Sequence, residues 1–117
     1  PNPYFSRLHI EKARSILKSM GLENRMNHYP SEMSGGEQQR VAISRAIIKD
    51  PKVILADEPT ANLDSVSGKK IMDILKELNS RYGITILVVN HEKEFEKYFG
   101  RIINLKDGKI VRILKRR

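Results

Sequence analysis

Two hydrophobic rhythms alternate along the chain. From about Arg7 to Met20, the residues Ala13, Ile16, Leu17 and Met20 recur at three- and four-residue spacing, which predicts an amphipathic helix with one apolar stripe. Gly21 followed by Leu22 reads as its stop, the glycine allowing a left-handed turn and the leucine latching it. Glu23 to Glu32 is polar, holds Asn27 and Pro30, and reads as a loop with about one turn of helix. A second helix is predicted from Ser34 to about Lys49, with Val41, Ile43, Ala46 and Ile47 on its buried side and Asp50-Pro51 ending it. A third is predicted from about Val66 to Arg81, with Ile71, Leu75 and Leu78 on one face and Tyr82-Gly83 as its stop.

Between these helices the period changes. Val53 to Ala56 is apolar at every position, the pattern of a strand buried on both faces in a parallel sheet. Thr85 to Val89 is a second apolar, β-branched strand that delivers Asn90 and His91 at its end. Glu92 to Phe99 reads as a short charged helix with Phe95 and Phe99 one turn apart, closed by Gly100. Arg101 to Leu105 and Ile110 to Leu114 are strands flanking Lys106-Asp107-Gly108-Lys109, and Asp-Gly between two such runs signals a hairpin. Helices alternating with buried strands predict an α/β fold with a C-terminal β-hairpin.

Composition narrows the picture. The 117 residues make one domain, small for burying a large core. The 39% hydrophobic and 31% charged content is that of a globular chain, and no apolar run approaches the roughly 18 residues that span a bilayer. The absence of cysteine excludes disulfides and thiolate metal sites, and fits a reducing cytoplasm. A chain opening on Pro1 instead of methionine is expected to be a processed product or a piece of something longer. The net charge of +8 attracts polyanions in general. The cluster Lys115-Arg116-Arg117 reads as a solvated tail, with a polyanion contact as the alternative, and the lack of interleaved aromatic residues weakens a single-strand-binding reading.

Three places can carry chemistry. Asp57 and Glu58 close the first strand, and ligands of parallel α/β sheets gather at the carboxyl ends of strands. One carboxylate there can hold the hard cation that accompanies nucleotide phosphates, while its neighbour activates a water. The same acidic pair could simply open a surface loop, but four apolar residues before it and Pro59-Thr60 after it favour the functional reading. Ser34-Gly35-Gly36-Glu37 opens the second helix, with Ser34 and Glu37 in an S-x-x-E capping box. A helix start of this kind favours an anion. Capping needs neither Gly35 nor Gly36, which cost about 1 kcal/mol each against alanine inside a helix, so their presence argues for a ligand. His91 is placed to contact a phosphate or a water, and is equally placed to be structural. A phosphate loop of the form G-x-x-x-x-G-K-[ST] is missing. Gly68-Lys69-Lys70 comes nearest, with Leu63 in place of the first glycine and Lys70 in place of the hydroxyl.

Taken together, these stretches resemble the ATP-binding cassette (ABC) ATPases. Met33 to Arg40 resembles the signature motif, Val53 to Glu58 the Walker B strand with its catalytic glutamate, Ala61-Asn62-Leu63-Asp64 the D-loop, and Asn90-His91 the switch histidine. The match runs from about Ile10 to the end, and Asp57-Glu58-Pro59-Thr60 with Leu63-Asp64-Ser65 is most similar to the lipoprotein-releasing and macrolide-exporter subgroup. Met33, Glu37 and Asn90 depart from the commoner leucine, glutamine and threonine.

The resemblance implies a partial P-loop NTPase domain, with residues 1–50 in the helical subdomain and residues 51–117 in the ATPase core. It implies ATP and Mg²⁺ as ligands, Asp57 as the metal ligand, and Glu58 and His91 as catalytic residues. Ser34, Gly35, Gly36 and Glu37 would meet the nucleotide of a partner subunit, and Asp64 would couple the two sites. The implied partners are a second nucleotide-binding domain, a transmembrane permease that holds the protein at the inner face of the cell membrane, and the missing N-terminal half with Walker A. That half would supply the strand between those at Thr85–Val89 and Arg101–Leu105, so a gap in the sheet is expected there. The implied function is ATP hydrolysis that drives transport, with the chain inactive in isolation. The competing readings are an ABC-type ATPase of DNA repair or translation, and a non-catalytic fragment. The single short stripe from Ala13 to Met20 is not the long coiled coil of repair members, while translation members, which carry two tandem cassettes, stay open; no nucleic-acid partner is expected.

Overall fold

The computed structural model describes residues 7–116. Punctuation in the sequence sets the helix ends. Helix α1 (Arg7–Ser19) stops where Gly21 adopts a φ of 72°. The Leu22 amide bonds back to the Leu17 carbonyl at 2.9 Å, and the Leu22 side chain is fully buried. This is the latch expected of a glycine-terminated helix. Two single turns of 3-10 helix, Glu23–Arg25 and Pro30–Glu32, fill the polar loop.

Helix α2 (Gly35–Ile47) follows with Ser34 as its N-cap. Helix α3 (Ser65–Tyr82) begins one residue earlier than its hydrophobic stripe predicts, because the Asp64 carboxylate caps it. Its end is Gly83 at φ 68°, where the Asn79 side chain also donates to the Ile84 carbonyl at 2.9 Å.

Strands β1 (Val53–Asp57) and β2 (Thr85–Val89) pair in parallel, from Val53 opposite Thr85 to Asp57 opposite Val89. One face carries Ile54, Ala56, Ile86 and Val88 into a core completed by Ile71, Met72, Leu75 and Leu78 of α3. Phe95, on a 3-10 segment (Lys93–Tyr98), packs into the same core. The other face does not match the expectation of two-sided burial. Val53, Leu55, Leu87 and Val89 are 50–74% exposed. An uninterrupted apolar run reports what a strand requires, and the described residues place a helix layer on one side only.

Strands β3 (Arg101–Lys106) and β4 (Lys109–Lys115) form the predicted hairpin, with both turn residues, Asp107 at 51° and Gly108 at 75°, at positive φ. The two pairs do not join. Among the described residues β2 and β3 each keep a free edge, which is the gap expected between them. Ile103, Leu105, Ile110, Val111 and Ile113 remain exposed on the hairpin. The radius of gyration is accordingly 16.0 Å, against about 13 Å for a compact chain of this length.

Candidate functional site

Parallel pairing in register brings the ends of β1 and β2 together. The Glu58 amide donates to the Val89 carbonyl at 2.9 Å, one step beyond the last strand pair. The side chains then meet: His91 Nε2 lies 3.1 Å from Glu58 Oε1. Of the residues singled out in the sequence, these two are therefore in direct contact.

Glu58 adopts a φ of 46°, a left-handed conformation unusual for a non-glycine residue. Such a backbone is strained by about 1–3 kcal/mol and persists where its surroundings over-determine it. Here they do. Ala61 N bonds to the Glu58 carbonyl at 3.0 Å, Gln39 Nε2 donates to the Pro59 carbonyl at 2.9 Å, and Pro59 and Thr60 are buried. Thr60 Oγ1 donates to Glu92 Oε1 at 3.3 Å, tying the loop after β1 to the loop after β2.

Asp57 is exposed at the end of β1. No group of three or more potential metal-ligating side chains occurs among the described residues. A lone carboxylate at a strand end fits a cation such as Mg²⁺, which takes one or two protein carboxylates and otherwise phosphate oxygens and water. It does not fit a closed structural metal site.

The start of α2 is a complete capping box. Glu37 N donates to Ser34 Oγ and Ser34 N to Glu37 Oε1, both at 3.2 Å. Arg25 Nε donates to the second oxygen, Glu37 Oε2, at 2.8 Å. The Ser34 amide first, and then the Arg25 guanidinium, hold the Glu37 carboxyl below its ordinary range. Helix geometry leaves the Gly35 and Gly36 amides without intrahelical acceptors.

Both glycines have close neighbours within the chain. A Cβ on Gly35 would lie 3.1 Å from Leu63 Cδ2, and one on Gly36 would lie 3.2 Å from Ser67 Cβ. Gly36 is buried. Close packing against Ser67 in the first turn of α3 gives Gly36 a reason within the chain, whereas the atom facing Gly35 is the movable end of the Leu63 side chain.

Asp64 takes part in that same junction. Its Oδ2 accepts from Ser67 N at 3.2 Å, and the Ser67 hydrogen bonds hold the carboxyl below its ordinary range. The side chains therefore form two groups, Glu58 with His91 and Ser34 with Glu37. Gln39 bridges the elements that carry them. Sequence reasoning missed Arg25, Gln39, Thr60 and Glu92, whose partners lie 12 to 32 residues away. Asn90 carried a local signal, an asparagine two residues before a backbone donor, which is the spacing of an Asx-turn.

Comparison with known proteins agrees with this geometry. The ABC transporter family model matches residues 6–61. An uncharacterised ABC transporter ATP-binding protein of Methanocaldococcus jannaschii is 55% identical over 106 residues, covering 91% of this chain and 47% of its own. The chain belongs to the ATP-binding cassette family. The ATP-binding protein LolD of the lipoprotein-releasing system of Syntrophus aciditrophicus is 53% identical over 102 residues, 87% of this chain and 46% of LolD.

Among solved structures, a dimeric cassette in a post-hydrolysis state, bound to ADP and Pi, superposes with a TM-score of 0.82. It is 45% identical, and the match covers 100% of this chain and 51% of that one. The fold is the α/β cassette fold, and this chain spans about half the length of the curated relatives it matches. No helix among the described residues is long and apolar enough to cross a membrane.

Proposed function

We propose that this chain supplies the signature, Walker B and switch-histidine parts of a cassette that hydrolyses ATP to drive transport across a membrane. The observation that carries the proposal is the contact of Glu58 with His91 at the carboxyl ends of two adjacent parallel strands. In this reading Glu58 orients and deprotonates the water that attacks the γ-phosphate, and His91 bonds to Glu58 or to the phosphate. Asp57 would hold Mg²⁺, which when bound offsets charge on the phosphates. Ser34 and the amides of Gly35 and Gly36 would meet the γ-phosphate of ATP carried by a second cassette, with Glu37 and Arg25 keeping that helix start in shape. Asp64, at the junction of α2 and α3, would couple the two sites.

The free edges of β2 and β3 support completion of the sheet by a strand that carries the phosphate loop. The uncovered apolar faces of β1–β2 and of the hairpin would be covered at the same time. Residues 1–50 would then belong to a helical subdomain and residues 51–117 to the ATPase core. The complete protein would pair with a second cassette and sit at the cytoplasmic face of the membrane through a permease.

The test is Glu58→Gln and His91→Ala in the complete cassette. Each should lower hydrolysis by roughly 10²–10⁴-fold while ATP still binds. Hydrolysis at the unsubstituted rate in Glu58→Gln would refute the proposal.

A further inference from the structure

The imidazole of His91 is exposed, with 76% of the side chain accessible, so packing does not set its direction. Its partner Glu58 is 47% exposed, and a solvent-exposed pair of this kind contributes little by itself. The alignment has to come from the backbone that carries the two side chains. On the His91 side the Phe95 amide donates to the Glu92 carbonyl at 3.3 Å, and the side-chain bonds that span His91 come from Asn90. Asn90 Nδ2 donates to the Glu92 carbonyl at 2.8 Å, and Asn90 Oδ1 accepts from the Glu92 amide at 3.2 Å. The two bonds span His91 and close the chain around it. Glu92 is anchored in turn, since its carboxylate accepts from Thr60, which is 3% exposed and lies two residues past Glu58. A continuous ring results: Glu58 to Thr60 along the chain, Thr60 to Glu92, Glu92 to Asn90, and back through His91 to Glu58.

We infer that Asn90 is a positioning residue, which fixes the direction of His91 toward Glu58 by clamping both backbone groups of Glu92. Both amide atoms are needed, because the Glu92 N–H and C=O each engage a different one. A hydroxyl at position 90 reaches one of them, as an ST-turn that is weaker than the Asx-turn. An aliphatic side chain reaches neither.

This inference rests on the proposed hydrolytic role of Glu58 and His91, and the experiment separates the two. Asn90→Ala, Asn90→Thr and Glu58→Gln are compared in the complete cassette. Asn90→Ala should lower kcat by roughly 10-fold, since small misplacements of reacting groups are costly, and leave KM for ATP within about twofold. The ¹⁵N resonances of the His91 ring in the nucleotide-free protein should move toward those of an unpaired imidazole. Asn90→Thr should fall between Asn90→Ala and the unsubstituted protein in both readouts.

An Asn90→Ala protein with unchanged kcat and unchanged His91 resonances overturns the inference. Parallel losses of kcat, KM and thermal stability also overturn it, because they mark a merely structural side chain. Should Glu58→Gln abolish hydrolysis while Asn90→Ala is normal, the positioning role alone fails. Should Glu58→Gln hydrolyse ATP normally, the functional proposal fails, and the His91 spectra still decide whether Asn90 aligns the ring.

Discussion

The side-chain amide of Gln39 donates a 2.9 Å hydrogen bond to the carbonyl of Pro59, one residue beyond Glu58. Gln39 lies in the second turn of the helix that Ser34 caps, so this bond ties the capped helix start to the strained turn at Glu58. Gln39→Met keeps the length of the side chain and removes the donor. The buried Pro59 carbonyl then loses its partner, and stability should fall by about 1–3 kcal/mol, as for other unsatisfied buried polar groups. Urea unfolding of the complete cassette measures it. An unchanged midpoint means that the carbonyl has found water or another donor, and that the two elements are not tied through Gln39.

Gly36→Ala tests the packing account of that glycine. Helix propensity alone predicts a gain of about 1 kcal/mol. The new Cβ would stand 3.2 Å from Ser67 Cβ and 3.4 Å from its Oγ, so α2 and α3 have to separate slightly. The expected result is a net loss, with Ser67→Gly restoring stability in the double variant although it weakens the single one. Stabilisation by Gly36→Ala alone would show that the glycine is not required by its neighbour.

Helix boundaries were legible wherever the chain punctuates itself. Gly21, Gly83 and Asp50-Pro51 end helices as expected, and Asp107-Gly108 turns the hairpin. The apolar stripe of α3 starts later than the helix, because the cap is polar: the Asp64 carboxylate accepts from the Ser67 amide in the first turn. The apolar run at Val53 to Ala56 announced a strand and overstated its burial, since sequence reports the need for two covering layers and not their presence.

In the candidate site, the placement of Asp57, Glu58 and His91 was legible because they stand at the ends of short apolar strands. The side chains that hold them were not. Gln39 and Thr60 act across 20 and 32 residues, and no local pattern encodes such a partner. Gly35 and Gly36 stand out in the sequence by their cost, but their close neighbours, Leu63 and Ser67, become visible only in three dimensions.

Two carboxylates give stability a defined acid dependence. Both Glu37 and Asp64 titrate lower in the folded protein than their ordinary values of 4.5 and 3.8, owing to hydrogen bonds from Ser34 and Arg25 and from Ser67. A depressed folded-state value means that the unfolded chain binds the proton more readily, so the stabilisation is fully present above those ordinary values. It shrinks as the pH falls below them and is gone once the pH has passed under the folded-state values. Unfolding midpoints measured from neutral pH into this acid range should fall less steeply in Glu37→Gln and Asp64→Asn than in the unsubstituted protein. Identical slopes would remove both caps from the account.

The claim on which the rest depends is that Glu58 activates water at a nucleotide. Single-turnover hydrolysis of ATP by the complete cassette, with and without Glu58→Gln, tests it most directly when ATP affinity is measured on the same samples. The account predicts a rate lower by roughly 10²-fold or more, as for loss of a general base, with affinity retained. A Glu58→Gln protein that binds ATP and turns it over at the unsubstituted rate would contradict it.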